Sequence, residues 1–145
     1  MAGGWTNRGK RNALGVLFNT EGAPTNFYVA LCTSAAVPTV DTETLSELTE
    51  IGTGTGYTAG GYTLTRNSTD FPTLGEDDTN NWGVIDIKTI SWTGSGAGIS
   101  GARCAVLIDN TDDVWFWWDF GSDKAVSADQ DLQLTGIKLR IDEPA

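Results

Sequence analysis

The sequence predicts a mainly β protein, an antiparallel sandwich or barrel carrying a short N-terminal helix and one short inserted helix. Glycine (18) and threonine (20) are abundant in 145 residues, which favours strands and tight turns over helices. Short apolar stretches alternate at period two and are separated by Gly, Asp and Asn turns. Six Trp, five Phe and three Tyr add apolar area to a chain that is only 39% hydrophobic. The length suits one domain, with an N-terminal arm and helix over residues 1–22 and the β domain over 23–145.

The helix is expected near residues 12–18. Leu14, Leu17 and Phe18 recur at helical spacing, and Thr6 or Asn7 stands where a cap belongs, while Gly9 and Gly15 weaken the pattern. Arg8, Lys10 and Arg11 supply three of the nine bases here, and no acid precedes Glu21. They read as a solvated basic face on a docking helix, or as an arm reaching an acidic neighbouring subunit.

From Asn26 the period becomes two. Phe27, Val29 and Leu31 alternate with Tyr28, Ala30 and Cys32, the pattern of a strand covered on both faces. Residues 42–51 place Leu45 and Leu48 on one side of a short amphipathic helix. The glycine-rich run over residues 52–62 lacks the preceding strand, the following helix and the Lys-Ser/Thr of a phosphate loop; a loop and bulge leading into a strand at residues 62–65 is expected. Residues 70–81 are polar and acidic and read as a long loop.

Strands resume over residues 82–87, 89–92 and 103–109. In the last, Cys104, Val106 and Ile108 face one way, Ala105 and Leu107 the other. Asn110, Thr111, Asp112 and Asp113 make a hairpin turn into residues 114–120, the most apolar segment. Strict alternation there puts Trp115 and Trp117 on one face and Val114, Phe116, Trp118 and Phe120 on the other. One face is core; the other is a second packed layer, a subunit interface or a sugar-stacking platform. Leu132 and Leu134 are out of phase with Ile137, Leu139 and Ile141, so a bulge or bend is expected at Thr135-Gly136.

The absence of histidine removes Ser-His-Asp and Cys-His catalysis within the chain and any His metal ligand. Two cysteines make no four-ligand zinc site, and no cofactor is indicated. Nineteen acids against nine bases argue against nucleic-acid binding. No apolar run reaches a membrane span and the first residues contain no signal-type apolar core, so synthesis in a cytoplasm is expected, with Cys32 and Cys104 reduced and buried. The acidic clusters Glu76-Asp77-Asp78 and Asp109 to Asp113 read as solvated turns rather than calcium loops.

Taken in order, certain segments resemble a family of small tailed-bacteriophage virion proteins, described variously as capsid decoration (cement) or tail fibre proteins. They are Asn12-Ala-Leu-Gly-Val-Leu-Phe18, Asn26-Phe-Tyr-Val-Ala-Leu-Cys-Thr33, Leu45-Ser-Glu-Leu48, and Gly56-Tyr57 with Gly60-Gly61-Tyr62. Trp82-Gly83, Trp117-Trp118-Asp119-Phe120 and Val126-Ser-Ala-Asp-Gln-Asp131 complete the order. The chain departs from the family pattern in a longer segment over residues 52–61 and in the aromatic run from Trp115. The resemblance implies a jelly-roll-like sandwich and a structural, non-enzymatic role on the virion, with no catalytic residues. The expected partner is the major capsid protein, with a dimer or trimer of this chain on the capsid. The expected contacts are Trp5, Arg8, Lys10 and Arg11 of the arm plus an exposed aromatic among Trp115, Trp117 and Trp118. The alternative is a tail-associated protein binding host glycan through those tryptophans.

Overall fold

A computed structural model describes residues 1–142. It is mainly β, with antiparallel sheets and one α-helix, α1 (Asn7–Phe18). The ten strands are β1 (Ala2–Trp5), β2 (Asn26–Cys32), β3 (Tyr62–Thr65), β4 (Leu74–Asp77), β5 (Trp82–Ile87), β6 (Ile90–Thr93), β7 (Ile99–Asp109), β8 (Val114–Val126), β9 (Asp131–Leu134) and β10 (Ile137–Asp142). They form a five-stranded sheet in the order β1-β8-β7-β2-β3, a three-stranded sheet β10-β5-β4 and the pair β6-β9.

The five-stranded sheet is buried on both faces, as the two-sided apolar pattern of its central strands requires. One face sends Val29, Leu31, Ala105, Leu107, Phe116 and Trp118 into the main core. There they meet Ile87, Ile90, Trp92, Leu134, Ile137 and Leu139 from the two smaller sheets. The other face carries a smaller cluster of Ala30, Cys32, Cys104, Val106, Ile108 and Val114, roofed by Leu45 and Leu48. The alternation expected along β2 and β7 holds at each of these residues. The phase change at Thr135-Gly136 is also present: Gly136 takes a φ of 65°, and Leu134, Ile137 and Leu139 all reach the same core.

Four expectations are corrected. Residues 42–51 do not form an α-helix; only Leu45–Glu47 makes a 3₁₀ turn, because the flanks are drawn into bridges pairing Thr44 with Asp113 and Cys32 with Glu50. Leu45 and Leu48 still turn inward, since spacing of three serves a 3₁₀ turn as well as an α-helix. The long loop over residues 70–81 contains β4, which pairs with β5. Residues 1–22 are no separate arm: β1 pairs with β8 from Ala2↔Asp119 to Trp5↔Phe116 and forms one edge of the five-stranded sheet. Finally, strict alternation fails at Trp115. Leu107 pairs with Phe116 and Ile108 with Val114, so Trp115 is an extra residue in β8. This bulge brings Trp115 into the core beside Phe116 and Trp118, and leaves Val114 and Trp117 in the smaller cluster.

Candidate functional site

The candidate site is the outward face of α1, and its geometry begins with Thr6. The Thr6 hydroxyl accepts from the Gly9 N–H at 2.8 Å, capping the helix, and donates to the Val114 carbonyl. The Thr6 N–H adds a bond to the Trp115 carbonyl at 3.1 Å. Thr6 is fully buried, so the helix start is fixed against β8. Farther along, Asn12 Nδ2 donates to Asp113 Oδ2 at 2.9 Å. Asn7 Nδ2 donates to Asp41 Oδ1 at 2.9 Å.

On the face turned to the sheet, Gly9, Asn12 and Gly15 are buried, with Ala13 and Val16 half-buried against the main core. A Cβ at residue 9 would meet the Trp115 carbonyl oxygen and lie 2.6 Å from the Trp115 Cα. Backbone lies so close to backbone that no side chain fits. The three largest apolar side chains of α1 occupy the opposite face. Leu14, Leu17 and Phe18 are 58%, 68% and 81% exposed, the reverse of a helix docking by its apolar stripe. Ile141, near the end of β10, is also exposed, and Ala13 is half-buried. An open groove of about 540 Å³ is lined by Trp5, Lys10, Ala13, Leu14, Leu17 and Ile141, among others.

The basic residues divide by role. Arg8 pairs with Glu43 and stands 4.0 Å from Asp113; the hydrogen bond to Glu43 raises its pKa. Arg11 pairs with Glu21, Nη2 to Oε1, at 2.7 Å. Both therefore hold α1 to its own chain. Lys10 forms no ion pair among the described residues and belongs to the groove.

The tryptophans are placed differently from expectation. Trp115 and Trp118 are core residues, 6% and 4% exposed, and Trp117 is half-buried. The bulge accounts for Trp115, and the two-sided burial of β8 accounts for the others. Trp5 is half-buried: its ring meets Phe116 edge-on at 5.6 Å and its Nε1–H donates to the Arg140 carbonyl at 2.6 Å. It joins the edge of one sheet to β10 of another.

The acidic turn at Asp109 is likewise part of the structure. Asp109 is buried; its Oδ2 accepts from Trp115 Nε1 at 2.9 Å and its Oδ1 from the Thr111 N–H at 2.8 Å. Among the described residues no group of three or more His, Cys, Asp or Glu side chains gathers in a metal-binding arrangement. No described helix is long and apolar enough to cross a membrane.

Of the expected contact residues, Trp5 and Lys10 come together at one groove, while Arg8, Arg11, Trp115, Trp117 and Trp118 are engaged elsewhere. The residues missed are Leu14, Leu17, Phe18 and Ile141. Their signal was present in the small residues Gly9, Asn12 and Gly15, which recur every third position and mark a close-packed helix face. Comparison with protein-family models, with characterised proteins and with solved structures finds no match.

Proposed function

We propose that this protein is a bacteriophage virion structural protein, a capsid decoration (cement) protein with a jelly-roll-like β-sandwich body. It binds the major capsid protein shell and stabilises the head by contact, without catalysis. The observation that carries this reading is the outward apolar ridge Leu14-Leu17-Phe18 beside Ile141. Three large side chains are presented on a helix whose own docking is already complete, which favours a protein-binding role for them. The net charge of −10 keeps the rest of the surface solvated. Each copy contributes a modest apolar contact, and many copies as dimers or trimers on one shell add up by multivalency.

The contact set in this reading is Lys10, Leu14, Leu17, Phe18 and Ile141, replacing the tryptophans. The tail-fibre alternative drew on exposed Trp115, Trp117 and Trp118; Trp115 and Trp118 are buried and Trp117 is half-buried, which gives it little support.

Two measurements test the proposal. Quantitative mass spectrometry of purified phage particles is expected to find this chain at a copy number comparable to the major capsid protein; a handful of copies per particle overturns the cement reading. Leu17→Asp and Phe18→Asp alter side chains exposed in the free protein. They are expected to melt like the parent and to bind capsids about tenfold more weakly or worse, since burying each side chain is worth about 1.5 to 3 kcal/mol. Unchanged capsid affinity in both sinks the assignment of this face.

A further inference from the structure

We propose that Cys32 and Cys104 are a latent disulfide: a small two-electron oxidant of the peroxide class joins them and fastens β2 to β7 covalently.

The pair is set by register. Cys32 and Cys104 are direct partners in the β2–β7 ladder. Leu31 sends its carbonyl to the Ile51 N–H at 2.9 Å and its own N–H to the Tyr57 hydroxyl at 3.0 Å, both away from β7. Cys32, one residue on, therefore turns its backbone groups toward Cys104. Such hydrogen-bonded pairs hold their Cα atoms about 5.5 Å apart, inside the span a disulfide bridges. Both side chains lie on the same face, in the smaller cluster, and Cys104 Sγ is 3.8 Å from the Cys32 carbonyl oxygen. Both are free thiols and fully buried.

The two sulfurs are not equivalent. The hydrogen bond between them lowers the Cys104 pKa and raises that of Cys32, whose burial raises it further. Either sulfur can serve as the first nucleophile, Cys104 for example. Its thiolate attacks one peroxide oxygen, the O–O bond breaks, and the departing oxygen takes a proton to leave as water, giving a sulfenic acid at Cys104. The Cys32 sulfur then attacks Sγ of Cys104. The S–O bond breaks, the Cys32 proton leaves with the oxygen as a second water, and the S–S bond forms. Two thiols are oxidised by two electrons and one peroxide is reduced to two waters.

Access is through the roof. Leu45 and Leu48 pack on the cluster that holds the pair, from a segment with one 3₁₀ turn and two isolated bridges, Thr44 with Asp113 and Glu50 with Cys32. Opening that segment admits a small oxidant without unfolding the sheet.

The experiment uses the full chain, folded and reduced, exposed to hydrogen peroxide, then denatured and alkylated. The expected product is a monomer that takes up no alkylating agent, lacks two hydrogens by intact mass, and yields one peptide pair joining Cys32 to Cys104. Its melting temperature rises by several degrees, because the closed loop is long. Two alkylated thiols after peroxide overturn the proposal. So does Cys104 carried to sulfinic acid with no cross-link, or a cross-link between two chains. In Cys32→Ala, which has no second thiol to resolve the sulfenic acid, peroxide is expected to give neither the two-hydrogen loss nor a cross-linked peptide pair. The parent chain decides the question should that variant not fold.

Discussion

A hydrogen in place of a methyl at residue 9 lets α1 rest on the backbone of β8, and this contact decides which way Leu14, Leu17 and Phe18 point. In an isolated helix Gly9→Ala stabilises by about 1 kcal/mol. Here the added carbon meets the Trp115 main chain, which cannot swing aside as a flexible side chain can. The expected net result is destabilisation by about 1 to 3 kcal/mol in urea unfolding. A variant as stable as the parent would show that the close approach has no energetic weight. The same residue shows why the helix orientation was hard to read in the sequence. Hydrophobic spacing correctly located the helix, but the rule that apolar faces dock assumes room for side chains. Trp115 defeated a second rule. Alternation assumes one residue opposite one, and Val114-Trp115-Phe116 contains no glycine to announce an extra residue.

At the level of elements, legibility followed burial. β2 and β7 alternate on two buried faces, and each assigned face proved correct. β1 and β4 could not be read. Ala-Gly-Gly-Trp and Leu-Gly-Glu-Asp have little strand propensity and become strands only because β8 and β5 supply partners. Gly3 is suited to its place, since a Cβ there would meet the Trp117 carbonyl. The basic cluster was legible as a feature but not in its use: Arg8 and Arg11 hold the helix to the body rather than reaching outward. Because β1 is an edge strand and Trp5 packs on Phe116, removing residues 1–5 is expected to cost about 3 kcal/mol or more in denaturant titration. Retained stability after that truncation would restore the picture of a detachable arm.

Over the whole molecule, the acidic balance sets the response to pH. The Lys88 ammonium, 2.5 Å from Asp70, and the Thr65 N–H hold the Asp70 carboxyl below the usual carboxylate range. Arg103 and the Gly121 N–H do the same for Asp119. The folded pKa values are therefore depressed, and the unfolded chain binds more protons near pH 4. The stability these groups contribute is present above the unfolded values and is lost as pH falls through the folded ones. Urea midpoints are expected to fall between about pH 5 and pH 3, with a shallower fall in Asp70→Asn. An identical slope in the variant would remove Asp70 as a contributor.

The pairing of β1 with β8 also bears on the order of events during synthesis. Residues 2–5 leave the ribosome more than a hundred residues ahead of their partners at 116–119. Trp5 and its neighbours must wait for β8 to be made, so their docking is a late, long-range step. Until then β8, whose first seven residues are apolar but for Asp119, has one side of its ladder open. An open apolar edge is a template for pairing with another chain. This four-residue strand thus acts as a guard against aggregation, made long before the edge it covers.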